Sequence, residues 1–518
     1  MPVITGGQTL AKSLASEGIK VVFGVPGAGQ YEAIDGIYQE SRIRYIATRH
    51  EQASSYMADG YARVSGEPAA ILVVPGPGMY NSMSGITGAY SQGSPMVVVS
   101  GEGHADRPVQ DELAFVRGIT KWAAKIEDAA DVPGAVHDAF GEMGTGRPGP
   151  VYLEVPHRVL AAEADIELRE PAPPSTAEPS PTIFRDGAAA LAASERPAIL
   201  VGGGLDSSAS EALRRLAEHL QAPVLTSSEG KGSLSDRHPL SLGLLNPGYG
   251  PLGEWINARD AFLVVGSAGA GGGFLIDKTV VSIDVEESGD SAGDVEIVGG
   301  LAVCLEALYS QVATATPARE PDVAELDSIR AGRFGSDEQL EPQASFTRAI
   351  RSAMPDDGVL VQGMTQLGYY GRNYYPAYAP RTYLVAAHGT LGHAFPVALG
   401  AKIAAPDRAV VAVSGDGGFL YNSQELATAI QYGINVVVIV FNDNAYGNVL
   451  RAQVEQFDGH VMGTRLHNPD FVALAQSYGA LGVRADGADS LEQALREAIA
   501  TDATTVIEVP VGAMERRY

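Results

Sequence analysis

Three doubly wound parallel-sheet α/β domains are what this sequence predicts, and three observations predict them. At 518 residues the chain is too long for one hydrophobic core, since domains usually hold ~100 to 200 residues. Two stretches interrupt its regular patterning. In the blocks these leave, short Val/Ile-rich runs alternate with Ala-rich helical patterns, as expected of buried parallel strands joined by right-handed helical crossovers.

The first interruption is Pro171-Ala172-Pro173-Pro174-Ser175-Thr176-Ala177-Glu178-Pro179-Ser180-Pro181, which holds neither a helix nor a central strand and reads as a linker. The second, from about Ala313 to Pro342, mixes proline, acidic residues and room for a short helix. Three blocks follow, residues 1–170, 183–312 and 343–518. Their expected strands include Ala70 to Val74, Met96 to Ser100, Ala198 to Val201, Phe262 to Gly266, Val410 to Ser414 and Val436 to Phe441.

Composition narrows the function classes. A net charge of -26 repels nucleic acid and anionic membranes, so an anionic ligand must be held by local dipoles, amides or a metal. The single cysteine, Cys304, excludes an intrachain disulfide and reads as a small buried apolar residue. Met1 to Lys20 lacks the pattern of a secretion signal, and no run approaches the ~20 apolar residues of a membrane span, so the expectation is a soluble cytoplasmic protein.

The last block carries the strongest chemical signal. The strand Val410 to Ser414 runs into Gly415-Asp416-Gly417-Gly418, a helical pattern spans Ser423 to Tyr432, and the strand Asn435 to Phe441 ends in Asn442-Asp443-Asn444. In such a βαβ unit the carboxyl ends of neighbouring strands lie side by side, so Asp416 and Asp443 can converge on one cation. Hard oxygen ligands suit Mg²⁺, which completes its octahedron with phosphate oxygens and water, and glycines let backbone amides approach a diphosphate. Each motif alone is an ordinary turn at a strand end. On adjacent strands they ask for a diphosphate.

In the first block, the strand Tyr45 to Thr48 leads into Arg49-His50-Glu51, and a helix follows. Glu51 therefore sits at a strand's carboxyl end, where α/β ligands bind, although a carboxylate opening a helix is also a common dipole pairing.

These strings resemble the thiamine-diphosphate enzyme family, whose metal motif is Gly-Asp-Gly followed at this distance by Asn-Asn. Its second signature is similar to Arg49-His50-Glu51-Gln52-Ala53 with Ala58-Asp59-Gly60-Tyr61-Ala62-Arg63. The resemblance implies thiamine diphosphate with Mg²⁺ held by Asp416, the side chain of Asp443 and the carbonyl of Ala445. Asp443 departs from the family's asparagine and adds negative charge beside the diphosphate. It implies further that Glu51 binds the pyrimidine ring and relays acid–base catalysis through the cofactor's amino group, giving an ylide and then an enamine/carbanion. By the same resemblance Leu391, in Gly389-Thr390-Leu391-Gly392, supports the bend of the cofactor, and Pro26, Gly27 and Asn81 line the pyrimidine. Thr365, Gln366, Tyr446 and Gly447 lie near the diphosphate. The first and last blocks become pyrimidine-binding and diphosphate/Mg-binding domains around a central one. Because family members build each site from two subunits, a homodimer or homotetramer is implied.

Gly146-Arg147-Pro148-Gly149-Pro150-Val151, Gly230-Lys231-Gly232 with His238-Pro239-Leu240, and Gly400-Ala401-Lys402 look most like large catalytic subunits of the acetolactate-synthase type. These strings mark lineage rather than substrate. Pro108-Val109-Gln110-Asp111-Glu112 stands where acetolactate synthases carry Phe-Gln-Glu. The glycines from Gly266 to Gly273 stand in place of Arg-Phe-Asp-Asp-Arg, so no FAD is expected. His388 is a candidate for moving protons on a substrate oxygen, with a purely structural role equally open, and Gln110 is a candidate contact for a 2-oxo acid. The tyrosines at 369, 370, 374, 375, 378 and 383 read as packing.

The reading is a carboligase or decarboxylase of a small 2-oxo acid. The alternatives are a lyase that cleaves 2-hydroxy ketones or 2-hydroxyacyl thioesters, and a non-catalytic cofactor-binding or regulatory partner. A dinucleotide site at Val201-Gly202-Gly203-Gly204 lacks the full glycine spacing and the later acidic residue.

Overall fold

A computed structural model describes residues 3–102, 111–171, 178–248, 250–267, 273–287, 293–321, 323–334 and 340–515. It divides into two compact units. One comprises Met1–Ser175, Leu360–Thr365 and Ala386–Ala513, the other Thr176–Val359, Gln366–Val385 and Met514–Tyr518.

The first unit holds two parallel sheets. One has the spatial order Arg44–Ala47, Val21–Gly24, Ala69–Val73, Met96–Ser100, Pro150–Glu154, Trp122–Lys125, with every pairing parallel. Its central strands are buried along their whole length, which is why they read as unbroken apolar runs rather than alternating ones. The chain steps one way from Val21–Gly24 to Arg44–Ala47 and the other way to Ala69–Val73. The crevice between Val21–Gly24 and Ala69–Val73 is thus a topological switch point, where α/β ligands bind. In the other sheet Val410–Gly415, Val437–Asn442, Thr505–Pro510 and Leu481–Arg484 follow one another, each pair parallel. A short antiparallel pair, Val3–Thr5 with Glu163–Asp165, is an addition that alternating patterns do not forecast.

Within this unit the helix Glu51–Ser65 packs on the helix Ala394–Ala404 through small residues. A Cβ on Gly60 would overlap the carbonyl oxygen of Val397, and one on Gly400 would overlap that of Met57. Each glycine admits the other helix's backbone, so the crossing is reciprocal. Gly400→Ala is expected to cost about 3 kcal/mol or more, the upper end of overpacking, because the obstacle is backbone rather than a movable side chain. A thermal melt checks this, with a melting temperature well below that of the parent protein as the expected result.

The second unit is built on a six-stranded parallel sheet in the order Ser241–Leu244, Val224–Thr226, Pro197–Val201, Ala261–Val265, Thr279–Asp284, Val295–Val298. The helices Pro181–Ala193, Ser207–Leu220 and Leu301–Ala315 bury their apolar faces in its core. Cys304 lies in that core, where burial pushes its thiol up to about 11, the behaviour of a packing residue. Tyr370, Tyr375 and Tyr383 are buried too, Tyr370 stacked with Tyr374 and Tyr375 with Tyr383, in keeping with packing. The helix Ala324–Phe334 falls inside the second interruption.

Candidate active site

The strand Val410–Gly415 is buried up to its last residue, and its parallel partner Val437–Asn442 sets Gly415 opposite Phe441. That register brings Asp416 and Asp443 to the same sheet edge. Gly415-Asp416-Gly417-Gly418 is not a plain turn. A short helix, Asp416–Leu420, starts at Asp416 itself, with the carboxylate at the positive end of the helix.

Asp416 is almost fully buried, and its Oδ1 accepts the amide of Gly417 at 2.8 Å. Burial pushes its carboxyl above the ordinary range, against the pull of that amide and of Asn468. Asp443 accepts the amide of Ala445 at 3.1 Å and is pushed up to about 6, first by burial and then by the charge of Asp416. Two desolvated carboxylates, set so that the charge of Asp416 raises Asp443, are what a divalent cation relieves. The donor set also fits Mg²⁺, which takes one or two carboxylates and leaves other positions to phosphate and water. Among the described residues no three of His, Cys, Asp and Glu gather, so this pair is the acidic share of the site. Asp443→Asn removes one repelling charge and is expected to raise the melting temperature of the metal-free protein by a few degrees, as measured by calorimetry.

The surrounding backbone is open in the manner a diphosphate needs. A Cβ on Gly417 would stand 2.5 Å from the Tyr446 ring, and one on Gly447 would overlap Asp443 Oδ2. Thr365 lies beside Gly415, while Gly418 faces Ser414. Gln366 opens the helix Gln366–Tyr374 of the second unit. The turn after Asp443 is held by a left-handed Asn444 and by the amide of Tyr446 donating to the carbonyl of Thr464 at 2.8 Å.

Sequence reasoning missed Asn468. Its Nδ2 donates to Asp416 Oδ2 at 2.6 Å and to Asn442 Oδ1 at 2.9 Å, and its buried Oδ1 meets no hydrogen-bond partner among the described residues. An unsatisfied buried oxygen on a side chain bonded to Asp416 again suits a cation or a bound hydrogen-bond donor. Nothing periodic in Leu466 to Asp470 signals this.

Glu51 is the first residue of the helix Glu51–Ser65, and His50 caps that helix by accepting the Gln52 amide through Nδ1 at 3.2 Å. Asn81 Nδ2 donates to Glu51 Oε2 at 3.1 Å. A Cβ on Gly78 would lie 3.3 Å from Glu51 Oε1, and one on Gly27 would overlap Val74. The structure therefore gathers Glu51, Asn81 and the Pro26-Gly27 and Val74 to Gly78 loops at the switch point of the first sheet. Glu112 is a second missed residue. It is buried, accepts the amide of Gly76 and, at 3.2 Å, the hydroxyl of Tyr152, and burial pushes it up. Gln110 lies outside the described residues.

Leu391 sits in a turn with three left-handed residues, His388 at φ 52°, Gly389 at 68° and Gly392 at 81°. Glycine adopts this region freely, but a histidine there is strained, and strain of this kind concentrates at functional sites. The exposed ring of His388 shares a hydrogen bond with Ser91, on the helix Pro77–Gln92 that also carries Asn81. Asn422 Nδ2 donates to the carbonyl of Gly392 at 2.8 Å.

Comparison with known proteins agrees with this geometry. Residues 4–116 match the N-terminal TPP binding domain of thiamine pyrophosphate enzymes, 185–308 their central domain, and 363–509 their C-terminal TPP binding domain. The chain is 34% identical to the "Probable 2-ketoarginine decarboxylase" of Pseudomonas aeruginosa, over 98% of this chain and 94% of the relative. It is 32% identical to the "Probable acetolactate synthase large subunit" of Methanocaldococcus jannaschii, over 98% and 92%. To the "Acetolactate synthase isozyme 3 large subunit" of Escherichia coli it is 29% identical, over 100% and 96%.

Proposed function

Because this chain belongs to the thiamine pyrophosphate enzyme family, we propose that it is a thiamine-diphosphate- and Mg²⁺-dependent carboligase or decarboxylase of a small 2-oxo acid. The observation that carries this reading is the pair of desolvated carboxylates, Asp416 and Asp443, brought together at a glycine-lined strand edge. In domain terms, residues 1–170 take the pyrimidine, 183–312 form the central domain and 343–518 take the diphosphate.

Asp416, Asp443 and the carbonyl of Ala445 hold the metal. Gly415, Gly417, Gly418, Thr365, Tyr446 and Gly447 surround the diphosphate. Pro26, Gly27, Asn81 and Glu51 take the pyrimidine, and Leu391 supports the bend between the rings. Bound there, the cofactor supplies an electron sink for the bonding pair released when a carbon–carbon bond beside a carbonyl breaks. The chain's own part is to orient and to move protons. Glu51, oriented by Asn81, holds a proton against the ring nitrogen. His388, held in a strained conformation by its turn and by Ser91, exchanges a proton with the substrate oxygen.

We place the protein in the cytoplasm as a homodimer or homotetramer. Its lone cysteine suits a reducing compartment, and among the described residues no helix is long and apolar enough to cross a membrane. Exposed apolar groups on the first unit support self-association. Tyr80 and Phe115 are exposed and meet edge to face, and the helix Gly447–Gln456 buries none of its residues, leaving Val449 and Val454 in solvent. If one site takes Glu51 from one chain and Asp416 from another, random mixing of Glu51→Gln and Asp416→Ala chains restores about a quarter of parental activity. Sites built within one chain restore none. The functional test is turnover by the apo-protein reconstituted with Mg²⁺ and thiamine diphosphate, on pyruvate, benzoylformate, 2-ketoarginine and a panel of acyloins. CO₂ release from a 2-oxo acid is the expected result, and acyloin cleavage without CO₂ moves the chain to the lyases.

A further inference from the structure

Glu425 is fully buried, and no cation pairs with its carboxylate in an ion pair among the described residues. Burying a carboxylate is expensive, and burial pushes this one up to about 7, against the pull of its hydrogen-bond donors and of the Arg49 charge. What holds it is a set of donors. The amide of Arg49 donates to both of its oxygens at 3.1 Å, the amide of His50 also faces it, and the hydroxyl of Thr428 donates to Oε2 at 2.6 Å.

The two amides belong to the residues immediately before Glu51. Asn422, on the same segment, donates at 3.1 Å to the side-chain oxygen of Gln52, the residue immediately after Glu51, and to the carbonyl of Gly392, the residue after Leu391. The grip continues along the preceding strand. Tyr432 accepts the amide of Ala47 at 2.9 Å through its hydroxyl, and the Arg49 guanidinium donates to Gln431 at 2.6 Å. Thus the segment that follows the helix Asp416–Leu420 holds the backbone before Glu51 and the side chain of the residue after it. Packing alone would be served by an apolar side chain, whereas a carboxylate that accepts adjacent amides fixes their orientation.

We propose that Glu425 is a positioning residue for the reaction: it acts through the Arg49 and His50 amides to hold the helix start that aims Glu51. The inference rests on the reading of Glu51 given above.

The test compares wild type, Glu51→Gln, Glu425→Ala and Glu425→Gln. For each, kcat and KM are measured on the best 2-oxo acid, the Kd for thiamine diphosphate by calorimetry at saturating Mg²⁺, and deuterium uptake of the metal-free protein in peptides covering Arg49 to Gln52. Glu425→Ala is expected to lower kcat about ten- to a hundredfold with KM and Kd within about threefold, since small misplacements of catalytic groups cost that much. Uptake at Arg49 to Gln52 is expected to rise, and Glu425→Gln, which keeps one acceptor, to recover much of the loss. A Glu425→Ala protein with kcat within twofold of wild type overturns the inference, as does unchanged uptake at these residues. If Glu425→Ala does not fold, Thr428→Val removes only the hydroxyl that orients Glu425. A lower kcat at unchanged KM supports the inference there, and an unchanged kcat overturns it. A Glu51→Gln protein that turns over normally sinks the reading of Glu51 itself; an inactive Glu51→Gln beside an unimpaired Glu425→Ala sinks this inference alone.

Discussion

Glu51→Gln is expected to lower turnover by about three orders of magnitude or more while thiamine diphosphate still binds. The substitution preserves length and shape, and a glutamine can still accept from Asn81 Nδ2, so the loop contacts around Gly78 and Gly27 remain. What is lost is the proton that a carboxyl group holds or gives up at the pyrimidine nitrogen. Rate and affinity should therefore separate, with kcat collapsing and the calorimetric Kd moving by less than about tenfold. Full activity in this variant would remove the acid–base role.

Asp416→Ala is expected to act in the opposite sense, on binding first. Its carboxylate is buried at the helix start, faces Asp443 and takes the Asn468 amide, so its removal deletes the more deeply buried of the two acidic metal ligands. Mg²⁺-dependent affinity for thiamine diphosphate should fall at least about a hundredfold and turnover should vanish at ordinary cofactor concentrations. The metal-free protein should nonetheless melt within a few degrees of the parent, because burial already disfavours the charged form of this group in the fold. A variant that unfolds would point instead to a structural role.

Much of this was legible in the sequence because the signals are local. Apolar runs buried on both sheet faces announce parallel strands, and a polar residue directly after such a run must lie at the sheet's carboxyl edge. That places Glu51, Asp416 and Asp443 without any tertiary information. The rest depends on contacts between distant segments. The helix beginning at Asp416 is hidden because Gly417 and Gly418 are poor helix formers, and the fold overrides that propensity. The reciprocal glycine contacts of Gly60 and Gly400 join the first and last blocks in one compact unit, and no periodicity encodes them. Asn468, Glu112 and Glu425 are single polar residues in otherwise ordinary surroundings, and only their burial and their donors set them apart. His388 is visible in the sequence, but its left-handed backbone is not.

The most direct measurement is a calorimetric titration of thiamine diphosphate into the metal-free protein, with and without Mg²⁺. The account predicts saturable binding of about one cofactor per chain that requires the metal, since two repelling carboxylates cannot hold a diphosphate unaided. Absence of binding with Mg²⁺ present, or equal affinity without it, would contradict the account.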